Sequence, residues 1–363
     1  MTTRPSIPIW TIAAPIFAGA VLTIAGLAPG VAHHGFFVAL IAIGVAASVF
    51  AAVHHAELVA HRIGEPFGTL VLALAVTLIE VALIVSLMAA GGEEALGLAR
   101  DTVFAAVMII LNGIIGLCLL VGGLLHREQS FSLDGVSASL VALGTIVVMT
   151  LVFPNYTTTA PGPFYSPGQL MLVAVVTVVV YGAFIFTQTV AHRGLFLHGE
   201  TSSGDSHGPL PGDATTALSS LLLLMCLAGV VMLAKKLAPS LETLVVRLGA
   251  PNALVGVIIA GIVLLPEATA AIRAARSNRL QTSLNLALGS ALASIGLTIP
   301  AVSFLSLYRG SHLMLGIDSR SMVLLLLSLF VVSLSLRTGR TIILHGVALL
   351  VIFVVYLFTT VVP

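Results

Sequence analysis

The sequence predicts an all-α polytopic membrane protein of about eleven transmembrane helices, arranged as two inverted five-helix repeats plus an extra first helix. Three observations point there. Hydrophobic residues make up 58% of the 363 positions and charged residues only 8%, against about 25% charged in soluble domains. Mean hydropathy is +1.15. Apolar runs of about 20 residues, the length that spans a bilayer, recur from end to end. A soluble globule and a disordered chain are both excluded by this composition.

Eleven apolar segments can be drawn, at approximately 7–29, 35–54, 68–90, 102–125, 135–153, 169–190, 214–234, 252–272, 281–306, 321–336 and 341–361. The first follows Arg4 as a signal peptide would, but its core is longer than the 7–15 residues of one, so it reads as a retained helix. Asp134 and Asp213 fall where N-caps are expected. The stretch 154–168 is rich in proline and glycine and reads as a loop. The most polar stretch, 199–212, divides the chain near its middle. The expected organisation is a first helix and connection (1–34), a first repeat (35–192), a central cytoplasmic loop (193–213) and a second repeat (214–363).

Charge placement sets the expected orientation. With the N-terminus cytoplasmic, nine of the fifteen basic residues face inward and six outward, in the sense of the positive-inside rule. The cluster Arg273, Arg276 and Arg279 contributes most of that bias. It can also meet lipid headgroups, though topological anchoring is the simpler role. The net charge is +1, with no basic patch to recruit nucleic acid. Cys118 and Cys226 lie inside apolar runs and read as packing residues.

Twelve of the fourteen acidic residues fall in loops or at helix ends; Glu80 and Glu267 lie mid-run. A charge at mid-bilayer costs about 3 kcal/mol on insertion scales, so such residues face a bundle interior or a water-filled cavity. The two glutamates stand in the third and eighth segments. Five segments apart is an odd number, so the two helices cross the membrane in opposite senses. That is the arithmetic of an inverted repeat, whose interface holds a midplane substrate site.

Each glutamate is followed by a helix dotted with small and polar residues: Asn112, Gly113 and Gly116 after Glu80; Asn285, Gly289, Ser290, Ala293, Ser294 and Gly296 after Glu267. Small faces let helices approach closely. Two carboxylates supply a charge of −2 and up to four oxygens, whereas a hard cation such as Ca²⁺ takes 6–8. Thr77, Asn112, Ser290 and Ser294 are the candidates for the remainder. So is the carbonyl of Ile262, which Pro266 leaves without its helical donor. No Cys or His adjoins either glutamate, which speaks against a soft metal. When the cation leaves, the paired carboxylates take up protons. A site that holds a cation or protons, but not both, is an exchanger.

Residues 54–84 (HHAELVAHRIGEPFGTLVLALAVTLIEVALI) and 264–302 (LLPEATAAIRAARSNRLQTSLNLALGSALASIGLTIPAV) resemble the ChaA-type Ca²⁺/H⁺ and Na⁺/H⁺ antiporters of the cation/Ca²⁺ exchanger superfamily. The resemblance covers both halves and most of the chain. It implies eleven helices in two inverted repeats, proton-driven export of Ca²⁺ with Na⁺ or K⁺ as further cations, and the family's paired acidic residues at Glu80 and Glu267. The sequence departs from the family's Gly-Asn-Ala-x-Glu pattern, reading Val76-Thr77-Leu78-Ile79-Glu80 and Val263-Leu264-Leu265-Pro266-Glu267. The asparagine amides of that pattern are therefore missing as ligands, which keeps a monovalent Na⁺/H⁺ or K⁺/H⁺ antiporter in play.

Other features carry less. His54, Glu57 and His61 share one helix face before the third segment; they fit a pH or metal sensor, or simply a solvated interfacial face. His198, Asp205 and His207, with Glu200, sit in the central loop, which reads as a linker. A passive channel needs no titrating carboxylates. An intramembrane enzyme lacks a nucleophile–base pair, a phosphate loop or a metal triad. The expected partners are inorganic cations, protons and the lipid bilayer, with no cofactor and no nucleic acid. The expected location is a bacterial inner membrane.

Overall fold

A computed structural model describes residues 7–27, 35–64, 67–90, 97–196, 211–247, 249, 251 and 253–362. Arg4 and the central-loop residues His198, Glu200, Asp205 and His207 lie outside the described residues. The elements are helices throughout, apart from one two-residue ribbon. In chain order they are α1 (Ile9–Leu27), α2 (Gly35–Ile63), α3 (Phe67–Ala90), α4 (Leu98–Met108), α5 (Ile115–His126), α6 (Leu133–Val147), α7 (Pro167–Phe186), α8 (Arg193–Phe196), α9 (Asp213–Arg247), α10 (Ala253–Val263), α11 (Leu265–Arg276), α12 (Leu280–Arg309), α13 (Ser319–Ser335) and α14 (Ile343–Val361).

Each of the eleven apolar segments holds helix among the described residues. Among the described residues, eight helices are long and apolar enough to cross a membrane, and the bent pair α10–α11 makes a ninth span. Four details differ from the sequence reading. The segment at 252–272 is not one helix: it breaks at Leu264, with a bend of 54° between α10 and α11. Pro266 at the start of α11 is the cause, because it cannot donate to the preceding turn. The seventh segment does not stop at the lysines Lys235 and Lys236; α9 runs on to Arg247 through Pro239. Asp134 lies inside the first turn of α6, whose cap position is Ser132. Asp213 is the first residue of α9, and its carboxylate accepts from the Arg62 guanidinium at 2.5 Å.

The chain separates into two compact units, each drawing on both halves of the sequence. The first comprises residues 1–89 and 202–255. Within it α2 and α9 lie along one another and α1 packs on both. The contact is close because of small residues: a Cβ at Gly229 would stand 3.3 Å from Ala18 Cβ. Polar groups are sparse here, and the buried His55 places Nε2 3.4 Å from the carbonyl of Thr11.

The second unit comprises residues 90–201 and 256–363. Its core is α4 and α5, joined by a π-helical segment, Ile109–Ile114, into one helix from Leu98 to His126. Most of that helix is buried, whereas the helix that includes α7 is largely exposed. Two further π segments follow α6 (Val148–Val152) and α7 (Thr187–Ala191). A π turn misplaces carbonyls, and one of these, on Met149, accepts the Tyr165 hydroxyl at 2.5 Å. The loop expected at 154–168 begins with a 3₁₀ turn, Phe153–Tyr156, and ends at α7, where Ser166 and Gln169 form a reciprocal capping box with Pro167 at the first helical position.

α12 packs against α4, α6, α7 and α11. Gly296 lets it meet α7, since a Cβ there would lie 2.8 Å from Tyr181 Cγ. α5 and α14 cross still more tightly: a Cβ at Gly346 would lie 2.4 Å from the Leu120 nitrogen and 2.7 Å from the Gly116 oxygen. The small face predicted around Gly113 and Gly116 is therefore used, and its partner is α14. A two-stranded antiparallel ribbon, β1 (Gln129–Ser130) with β2 (Arg340–Thr341), ties the α5–α6 turn to the α13–α14 turn.

Candidate functional site

Glu80 belongs to the first unit and Glu267 to the second. In the first unit Glu80 lies mid-helix in α3, 5% exposed. Thr77 precedes it by three residues, on the same face, and is also buried. α3 is uninterrupted through this region. Both side chains take part in a polar interaction, as a polar group in an apolar segment must.

In the second unit Glu267 occupies the first turn of α11, immediately after the break. Both of its carboxylate oxygens are enclosed, and it too takes part in a polar interaction. Its position has a physical logic. The first turn of a helix carries unsatisfied N–H groups and a partial positive charge, which favours a carboxylate there. Ile262 is the penultimate residue of α10 and is half-buried. Pro266 has no N–H, so the Ile262 carbonyl loses its regular donor four residues on. α11 packs against α12, which carries Ser290, half-buried, and Ser294, 3% exposed, one turn apart. The second unit thus assembles Glu267, Ile262, Ser290 and Ser294 on elements that touch or adjoin one another.

Asn112 belongs to the same unit and to the π segment that packs on α11 and α12. The NH₂ side of its amide is engaged within the unit. Nδ2 donates to Ser328 Oγ on α13 at 2.8 Å, with the Met108 carbonyl at 3.4 Å and Met108 Sδ at 3.7 Å. Ser328 escaped the sequence reading: it is one serine in an apolar run, and only its interruption of the leucines at 324–327 could have marked it.

The histidine face belongs to the end of α2, before α3. α2 continues through Ile63, so His54, Glu57 and His61 belong to its last turns. The His54 ring lies 5.9 Å from that of Trp10 and 5.8 Å from that of His55. Glu57 is exposed and His61 half-buried; both take part in polar or ring interactions. Among the described residues, no three His, Cys, Asp or Glu side chains converge as a metal site. An oxygen site of carboxylates, hydroxyls and carbonyls is of another kind.

Comparison with known proteins bears on the whole chain. The family model described as sodium/calcium exchanger protein matches residues 32–190 and 218–362. The chain is 46% identical to the putative ionic transporter y4hA of Sinorhizobium fredii (strain NBRC 101917 / NGR234), covering 98% of this chain and 97% of the relative. It is 37% identical to the sodium-potassium/proton antiporter ChaA of Escherichia coli (strain K12), covering 87% and 86%. In fold it is similar to the crystal structure of the H⁺/Ca²⁺ exchanger CAX, with a TM-score of 0.71 at 16% identity, over 96% of this chain and 87% of that one.

Proposed function

The chain belongs to the sodium/calcium exchanger protein family, and from that premise we propose that it is a secondary active antiporter that exports Ca²⁺ in exchange for protons. The observation that carries the reading is a buried carboxylate in each half of the chain, Glu80 at 5% exposure and Glu267 with both oxygens enclosed. A carboxylate at membrane depth is costly and, as a rule, marks an ion or proton pathway.

The chemistry follows from charge. Glu80 and Glu267 bind the cation and, when it departs, carry protons in its place. The hydroxyls of Thr77, Ser290 and Ser294, the Asn112 amide oxygen and the Ile262 carbonyl complete an oxygen shell for a hard cation. The break before Glu267 serves that shell twice: it strips the Ile262 carbonyl of its donor, and it aims the start of α11 at the carboxylate. Non-helical backbone at membrane depth is tolerated where it lines such a site. The two halves act as inverted repeats, and one bundle rocking on another exposes the site to each side in turn. One Ca²⁺ against two protons makes the cycle electroneutral. A third proton adds about 2.3 kcal/mol per charge per 100 mV. The protein is integral to the membrane; a bacterial inner membrane and a cytoplasmic N-terminus are the expected setting. His54, Glu57 and His61 are a candidate pH-sensing face.

A monovalent reading has its own support. The relative that is 37% identical is named a sodium-potassium/proton antiporter, and the Gly-Asn of the divalent pattern is absent before Glu267. Proton flux in proteoliposomes separates the readings. Ca²⁺ added to wild type should drive proton movement, and Glu80→Gln or Glu267→Gln should abolish it. Flux driven by Na⁺ or K⁺ alone establishes the monovalent antiporter. Ion movement without protons, or wild-type behaviour of both variants, refutes the mechanism.

A further inference from the structure

We propose that Ser328, on α13, is a positioning residue for cation binding: it fixes the orientation of the Asn112 carboxamide so that Oδ1 is presented as a ligand. The inference rests on the antiporter reading of the site and names a residue outside its ligand set.

The argument is one of donors and acceptors. A serine hydroxyl has one proton to give. That of Ser328 lies 2.7 Å from the Leu324 carbonyl and is spent there; the alternative acceptor, Met108 Sδ, is 3.6 Å away and weak. Toward Asn112, Ser328 Oγ can therefore only accept, so the face of the amide turned to it must be the NH₂. Nδ2 stands 2.8 Å from that oxygen, and the Met108 carbonyl, a second pure acceptor, lies on the same side at 3.4 Å. An amide flipped by a half-turn would set its oxygen against two acceptors. The orientation is thus dictated, and Oδ1 is turned away from Ser328.

What Oδ1 meets is the second observation. Asn112 is 0% exposed, and Oδ1 has no hydrogen-bond partner among the described residues. A buried amide oxygen without a donor is costly to keep. A bound cation supplies what a donor would. The backbone agrees: Asn112 sits in the π segment Ile109–Ile114, and π turns inside α-helices recur at functional sites. That segment packs on α11 and α12, which carry Glu267, Ser290 and Ser294.

The test reads binding apart from transport. Detergent-solubilised protein is heated in graded Ca²⁺ or Na⁺, and the concentration giving half-maximal thermal protection is recorded. Ser328→Ala should raise it about tenfold, the equivalent of about 1.4 kcal/mol. Ser328→Thr, which keeps the hydroxyl, should restore it. In an Asn112→Ala background Ser328→Ala should add nothing, because the serine acts through the asparagine. If Ser328→Ala does not fold, Ser328→Cys, with its weaker acceptor, should show a smaller shift of the same sign. An unshifted Ser328→Ala, an undiminished shift in the Asn112→Ala background, or a wild type that no cation protects overturns the proposal. Protection as expected without cation-driven proton flux leaves Ser328 in its role and refutes antiport instead.

Discussion

The crossing of α5 and α14 has no slack, and Gly346→Ala measures it. The added Cβ would stand 2.4 Å from the Leu120 nitrogen, 2.7 Å from the Gly116 oxygen and 2.9 Å from Leu120 Cα. All three atoms are backbone, so no side chain can swing aside. Ordinary contact begins near 3.4 Å, and 3.4 − 2.4 leaves a shortfall of 1.0 Å. α14 must back away from α5 by about that much. Overpacking of this kind costs about 1–3 kcal/mol. Replacing a helical glycine by alanine returns about 0.5–1 kcal/mol, so a net loss of up to about 2.5 kcal/mol is expected. The assay is the melting temperature of detergent-solubilised protein, with Gly182→Ala as reference. Gly182 is exposed in α7, with nothing within 4 Å of its Cβ position. Gly346→Ala should melt lower than wild type and Gly182→Ala no lower. Because α5 continues the π segment of Asn112, Gly346→Ala should also weaken cation protection. A Gly346→Ala protein that melts at or above wild type would show that α5 and α14 do not cross this closely.

Two further predictions concern single polar contacts. Tyr165→Phe removes the hydroxyl that caps the Met149 carbonyl of a π segment and should cost about 1 kcal/mol; the melting temperature checks it, and an unchanged value removes the cap from the account. Asp318 caps α13 through the Ser321 nitrogen. Burial acts to raise its carboxyl, but the Ser321 hydroxyl and backbone N–H and the Arg320 guanidinium outweigh it, so the group lies below its ordinary value of 3.8. With the folded state favouring the ionised form, its contribution is whole above that value and is lost as pH falls through the lowered one. Asp318→Ala should therefore melt below wild type at pH 7, with the gap closing under acid; a gap that persists at low pH counts against the cap.

Most of the fold was legible because a membrane helix announces itself by length and hydropathy alone. Where the reading slipped, a second force had overridden hydropathy. Lys235 and Lys236 end an apolar run but do not end α9, since lysine is a good helix former and its charge can reach water along a long stem. Asp134 looked like a cap by residue type, but the chain enters α6 earlier, at Leu133, where the Gln281 side chain takes the Ser132 N–H at 2.6 Å. Long-range polar pairs were out of reach altogether. Asn112 and Ser328 are 216 residues apart, and nothing in either segment names the other.

Pro266 was legible in its chemistry and not in its geometry. Its missing N–H was enough to single out the Ile262 carbonyl, yet the same missing bond breaks the span and bends it by 54°. The consequence is that the two glutamates, though related by the repeat arithmetic, stand in different backbones. Glu80 follows Ile79 in an unbroken α3, where every main-chain group near it can be spent on the helix. Glu267 follows Pro266 at the start of a new helix, beside unsatisfied N–H groups and a carbonyl without its regular donor. Main-chain groups are therefore open beside Glu267, whereas beside Glu80 the polar groups are those of side chains, with Thr77 on the same face. Glu80 owes its place more to the neighbours it finds, and Glu267 more to the helix it begins.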